Sequence, residues 1–227
     1  MRLERRGCWL ALGTTVLGFA CGGKGGGGTG PCTPGAATQL VKSGGDAQAW
    51  YFNNPLPTAL SVKALDANNC AVPRVVVNWV VSSGDGKVTP AQSTTNASGV
   101  ASATDSVGSA PSDTVTAAPA ITSLPTLKFS VTAAAPPTSG AVDLINTSFS
   151  PKDVTVQVNR TVTWTWKDQP TLHNVKFLSG PAPLPAPSAF QNTNGFTYSV
   201  TFTQVGKYTY ECEVHPGIMT GSVAVVH

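Results

Sequence analysis

Charge is scarce in this chain of 227 residues. Asp, Glu, Lys and Arg make up 11% of it, where an average soluble domain carries about 25%. Beyond residue 20 the balance is 11 Lys and Arg against 10 Asp and Glu. No basic field remains to hold a polyanion, which excludes nucleic acid as a partner. Imidazole is equally scarce: the three histidines are His173, His215 and His227, too few for a second, catalytic metal centre beside a first. Methionine is confined to Met1 and Met219, so a Met-rich metal-trafficking surface is missing. The Cys-x-x-Cys-His pattern of covalent haem does not occur, and no helical period appears. What is abundant is Gly, with 23 residues, and Pro, with 18. Together with Ser and Thr they punctuate short apolar runs, the composition of an exported, all-β protein.

Arg2, Arg5 and Arg6 precede a thirteen-residue apolar run from Cys8 to Ala20. A membrane-spanning helix needs about 20 apolar residues, so this run has the length of an export signal's core instead. Residues 1–20 are expected to be a signal peptide. The end of the run, Leu17-Gly18-Phe19-Ala20-Cys21, resembles a bacterial lipoprotein cleavage box, which implies a lipid on Cys21 and anchoring to a membrane of the cell envelope. Seven of the nine residues from Gly22 to Gly30 are Gly, a flexible coil. Residues 21–37 are therefore expected to be a tether. In an oxidising envelope compartment Cys32 and Cys70 are candidates for a disulfide, which leaves Cys212 without a partner.

From Leu60 onward short strands alternate with turns. Leu60, Val62 and Ala64 alternate with polar residues, Val75 to Val81 is nearly all apolar around Trp79, and Gly84-Asp85-Gly86 and Asn96 to Gly99 make breaks. This spacing predicts a β-sandwich with Trp50 and Trp79 in its core. The stretch SVKALDANNCAVPRVVVNWVVSSGDGKVTPAQSTTNASGVASA resembles the bacterial Ig-like domains of the invasin and intimin type, a resemblance that spans residues 38–133. No His and no catalytic constellation occurs there, so a spacer is the reading preferred over an adhesin. Residues 134–140, small and Pro-rich, are expected to be a linker.

In the remaining segment, 141–227, period two is clean. Val154, Val156 and Val158 alternate with polar residues, as do Val162, Trp164 and Trp166, so each set faces a core. Tyr208, Tyr210 and Cys212 share a face, which brings Cys212 to the inward edge of its strand. There follows Cys212-Glu213-Val214-His215-Pro216-Gly217-Ile218-Met219. A thiolate, an imidazole and a thioether within eight residues are ligands for a soft or borderline metal, and His173 supplies a further imidazole from another segment. Two His, one Cys and a weak axial Met make a blue-copper donor set.

The segments SFSPKDVTV, RTVTWTWKD, HNVKF, YSVTFTQVGKYTYEC and HPGIMTGSVAV resemble the cupredoxins of the plastocyanin and pseudoazurin group. The resemblance implies a Greek-key sandwich holding one type 1 copper on His173, Cys212, His215 and Met219. It also implies that Asn174 ties the Cys212 loop by a hydrogen bond. Two features depart from the group. His215 to Met219 is one residue shorter than in plastocyanin and one longer than in amicyanin, and Asn159-Arg160 stands where Gly-Asp is usual.

The whole chain is thus expected to be two β-sandwiches on a lipid-anchored tether, exported to the bacterial envelope. It reads as a one-electron carrier for redox protein partners rather than an enzyme. The apolar rim Pro216, Gly217 and Ile218 is the expected docking patch. The alternatives are a module for copper storage or delivery and an adhesin with a metal-free scaffold. The loop from Ser179 to Gly195, rich in Pro, is too long for a simple hairpin and is expected to cover the sheet or meet a partner.

Overall fold

A computed structural model describes residues 32–168 and 170–227. The expectations for the signal peptide, Cys21 and most of the tether fall outside the described residues. Among those described, every regular element is a β-strand.

Nine strands run through the first half: β1 (Gln39–Gly44), β2 (Gln48–Tyr51), β3 (Leu60–Leu65), β4 (Val76–Ser83), β5 (Lys87–Thr89), β6 (Gln92–Thr94), β7 (Val100–Ser106), β8 (Ser112–Pro119) and β9 (Leu127–Ala134). They form two sheets, ordered β1-β3-β7-β5 and β2-β9-β8-β4-β6. The alternation in sequence explains why the sheets stack. Leu60, Val62 and Ala64 of β3, Val77 and Trp79 of β4, Val115 and Ala117 of β8 and Phe129 and Val131 of β9 all turn inward and are buried. Trp79 satisfies its indole N–H on Ser93 Oγ at 2.8 Å, the kind of partner a buried Trp usually finds. Trp50 differs from expectation: it is half-buried and packs against the edge of this core, because β2 is an edge strand paired only to β9.

One inward position of β7 is polar. After Ala101 and Ala103 comes Asp105, fully buried, with no partner for either carboxylate oxygen among the described residues. Burial, helped by the nearby Asp113 charge, pushes its pKa up to about 6. Asp113 itself is held by the amides of Asp85, Gly86 and Gly108. Cys32 and Cys70 are both disulfide-bonded.

The second half holds β10 (Ser139–Ile145), β11 (Ser148–Ser150), β12 (Asp153–Gln157), β13 (Arg160–Trp166), β14 (Lys176–Ser179), β15 (Thr197–Phe202), β16 (Gly206–Glu211) and β17 (Thr220–Val226). Its sheets are ordered β11-β10-β13-β15 and β12-β17-β16-β14. The β10–β13 and β12–β17 pairs are parallel, which requires the crossovers of a sandwich rather than a meander. The linker is shorter than the sequence predicts: Ser139 and Gly140 already pair with Thr161 and Val162, since backbone pairing does not need the apolar side chains that pattern reading looks for.

The second core is aromatic. Trp164 and Trp166 are fully buried, and Trp164 stands edge-on to Phe177 and Tyr210, with ring centroids 5.8 and 5.3 Å apart. Such edge-to-face pairs add about 0.5–1.5 kcal/mol each beyond burial. Tyr210 fits only because Gly221 lies beside it: a Cβ there would come within 2.6 Å of the ring and of the Lys152 carbonyl.

The long segment after β14 is pinned to the sandwich. Ser188 N–H donates to the Val175 carbonyl and Val175 N–H to Ser188 Oγ, both at 2.9 Å. His173 and Gln191 exchange both backbone bonds, at 2.9 and 2.8 Å. The Tyr198 hydroxyl donates to the Ala186 carbonyl. This loop therefore lies against the segment that carries His173.

Candidate metal centre

Register brings the candidate ligands together. The inward positions of β16, Tyr208 and Tyr210, lead at period two to Cys212, and all three are buried. β14 runs antiparallel alongside, with Lys176 opposite Glu211. Residues just before Lys176 therefore meet those just after Glu211. His173 Nδ1 lies 3.7 Å from Cys212 Sγ, and His215 Nδ1 lies 3.7 Å from the same sulfur. The ligand atoms of His173, Cys212 and His215 all fall within 4.8 Å of one another. The two imidazole centroids are 5.1 Å apart.

A tight loop presents the second imidazole. His215 N–H donates to the Cys212 carbonyl at 3.0 Å, Met219 N–H to the His215 carbonyl at 3.0 Å, and Cys212 N–H to the Met219 carbonyl at 3.0 Å. Gly217 takes φ of +71°, the left-handed turn that glycine allows without strain, and its N–H reaches Glu211 Oε2 at 3.1 Å. Met219 is fully buried in the same apolar cluster as Cys212 and Trp166. His215 is half-buried, whereas His173 and Cys212 have no exposure. The His227 ring is not part of this group; its backbone N–H donates to Asn54 Oδ1 at 2.9 Å.

Asn174 bridges the segment of His173 and the segment of Cys212. Its N–H points at Cys212 Sγ at 3.5 Å, its Oδ1 accepts the Glu213 N–H at 2.8 Å, and its Nδ2 donates to Glu213 Oε2 at 2.8 Å. Glu213 also pairs with Lys176 at 2.6 Å. That hydrogen bond first, then the one from Asn174, holds the Glu213 carboxyl below its ordinary pKa.

Two features were missed by sequence reasoning. Asp168, which no sequence pattern singles out, places Oδ2 3.2 Å from His173 Nε2. A carboxylate five residues before a His carries no signal by spacing alone. The apolar rim is also wider than Pro216, Gly217 and Ile218, all exposed. Ile218 is 78% exposed, and Leu172 and Val214, the neighbours of His173 and His215, are exposed as well, as is Phe190 beside Gln191, the backbone partner of His173.

Residues 139–226 match the family described as copper binding proteins, plastocyanin/azurin family. Amicyanin-alpha of Methylorubrum extorquens is 35% identical over 91 residues, which cover 40% of this chain and 75% of that protein. The chain belongs to the plastocyanin/azurin family of copper-binding proteins. Amicyanin of Paracoccus denitrificans is 36% identical over 84 residues, and this chain spans 63% of its length. A solved structure of a reduced amicyanin variant is 32% identical, covering 39% of this chain and 82% of its own, with a TM-score of 0.34.

For this plastocyanin/azurin-family domain, the donor chemistry fits one type 1 copper. A buried thiol and two imidazole nitrogens converge on one point, in the ligand types that both copper valences accept. The thioether of Met219 is in the same buried cluster.

Proposed function

We propose that the chain is an envelope-tethered, one-electron carrier. The observation that carries this reading is the convergence of His173 Nδ1 and His215 Nδ1 on Cys212 Sγ, each at 3.7 Å. Copper bound there supplies a change of valence between Cu(I) and Cu(II).

The chain's own residues make that change inexpensive in motion. The soft sulfur of Cys212 is held from one side by the Asn174 N–H and from the other by its own loop closure onto Met219. His173 is fixed by its reciprocal backbone bonds to Gln191. Donors locked this way keep one compromise geometry for both valences, so little reorganisation accompanies transfer. Of the ligands, His215 alone approaches the surface, which supports it as the exit for the electron. Around it Pro216, Gly217 and Ile218 offer a small, weakly charged contact suited to transient redox partners. The Lys176–Glu213 pair at its margin is mutually neutralised, so long-range steering is weak.

The same burial argues against storage or delivery, because a metal handed between proteins needs exchangeable donors and His173, Cys212 and Met219 are sealed from solvent. In this reading the first sandwich is an Ig-like spacer, Cys32 pairs with Cys70, and a lipid on Cys21 holds the assembly at the membrane, with the Gly-rich segment as its tether.

The experiment is redox cycling of the copper-loaded chain. One electron per chain, with colour that bleaches on reduction and returns on oxidation, supports the carrier. Tight Cu(I) uptake with no coloured oxidised form contradicts it and points to storage.

A further inference from the structure

Behind His173, on the side away from Cys212, sits a carboxylate whose surroundings are unusual. Asp168 follows the last residues of β13, and its side chain is only 15% exposed. Its Oδ2 accepts two hydrogen bonds, from the Asn146 N–H at 2.9 Å and from His173 Nε2 at 3.2 Å. Its Oδ1 is buried with no partner among the described residues. The Asn146 amide is aimed by a two-residue hairpin turn between β10 and β11, in which Asn146 and Thr147 have φ of 48° and 55°. β-branched residues seldom adopt that conformation.

A buried carboxylate with one oxygen unsatisfied is costly unless positive charge compensates it. The group within reach is the His173 ring, whose other nitrogen faces the thiol. With Nδ1 given to a metal, Nε2 must carry the ring hydrogen and can only donate it. A carboxylate acceptor fixes that tautomer, orients the ring and makes the imidazole a better donor.

We propose that Asp168 is a positioning residue of this centre: it locks the His173 ring and favours the oxidised form of the bound copper. The proposal rests on the carrier reading above. Cu(II), the Cys212 thiolate and the Asp168 carboxylate sum to zero formal charge, whereas Cu(I) leaves one uncompensated negative charge in a buried site. Reduction adds one electron to the metal and moves no proton, since Nε2 keeps its hydrogen in both states. Asp168 therefore lowers the potential of the centre relative to a neutral side chain in its place.

The test compares the full chain with Asp168→Asn and Asp168→Glu after loading with Cu(II). Redox titration gives the potential, and ¹⁵N-histidine NMR of the Cu(I) form follows the His173 Nε2–H. The Asn variant should stay coloured, shift the preference for Cu(I) over Cu(II) about tenfold, which is about 59 mV upward, and bind Cu(II) about 10–100-fold more weakly. The Glu variant keeps the charge and should recover most of that shift. In the unaltered chain the Nε2–H signal should exchange slowly with solvent. Equal potentials in the coloured chain and its Asn variant overturn the proposal. If the Asn variant does not fold, the NMR of the unaltered chain decides: a fast-exchanging Nε2–H overturns the proposal and a slow one supports it. A chain that takes up copper and stays colourless overturns the carrier reading first, and with it this assignment.

Discussion

Asn174 and Glu213, 39 positions apart in sequence, clasp each other by two hydrogen bonds of 2.8 Å, one in each direction between the Asn174 amide and Glu213. This clasp ties the segment bearing His173 to the segment bearing Cys212, so the distance between two ligands depends on it. Asn174→Ala removes both bonds and leaves the Glu213 N–H without its acceptor, at a cost of about 1–3 kcal/mol. Urea unfolding of the copper-free chain checks the loss. Cu(II) affinity should fall about tenfold in the same variant.

Ile218 is 78% exposed on the loop beside His215, and the proposed carrier function assigns it to docking and not to ligation. Ile218→Lys should leave the visible spectrum and the potential unaltered. It should slow electron self-exchange between Cu(I) and Cu(II) copies by about tenfold at low salt, because two like charges then meet at the contact. NMR line broadening in mixtures of the two forms measures that rate, and an unaltered rate contradicts the docking role.

Asp105 makes stability fall as pH rises. Its folded pKa is about 6 against an ordinary value of 3.8, so both states are protonated at low pH and contribute nothing. Between these values the unfolded chain gives up its proton while the folded chain holds it. The penalty is complete above about pH 6 and amounts to about 3 kcal/mol. Asp46, Asp66, Asp85 and Glu213, whose pKa values are lowered, act in the opposite sense, so the comparison must be with Asp105→Asn. That variant should gain stability relative to the unaltered chain between pH 4 and pH 7, as read by unfolding at both pH values.

Gly221 has no spare room. In Gly221→Ala the new methyl meets the Lys152 carbonyl and the Tyr210 ring at 2.6 Å, a clash worth about 1–3 kcal/mol of overpacking. Thermal unfolding should register a loss of several degrees. Adding Tyr210→Phe should recover only part of it, since the ring carbon and the carbonyl remain.

Sequence reading reached the features that repeat or that bring rare chemistry together. Period two placed Val162, Trp164 and Trp166 on a buried face, and Cys212 appears at the end of β16 because Tyr208 and Tyr210 precede it in phase. The four candidate copper donors stand out because Cys, His and Met are so few. What escaped it depends on where distant backbone lies. Ser139 and Gly140 belong to β10 through pairing that their side chains do not announce. Asp168 acquires its role only because a loop returns His173 Nε2 to it, and the Pro-rich loop has its place through Ser188 and Gln191, residues with no pattern of their own. Trp50, read as core, lies on an edge strand, which local composition does not reveal.

The donor set of the proposed site is the Cys212 sulfur together with the His173 and His215 nitrogens, holding one copper. Its most direct test is Cu(II) titration of the full chain and of Cys212→Ser, followed by visible absorption. Saturation is expected at one copper per chain, with an intense thiolate-to-copper charge-transfer band that is lost in Cys212→Ser. Copper uptake without that band, or the same spectrum from both proteins, would contradict this donor set.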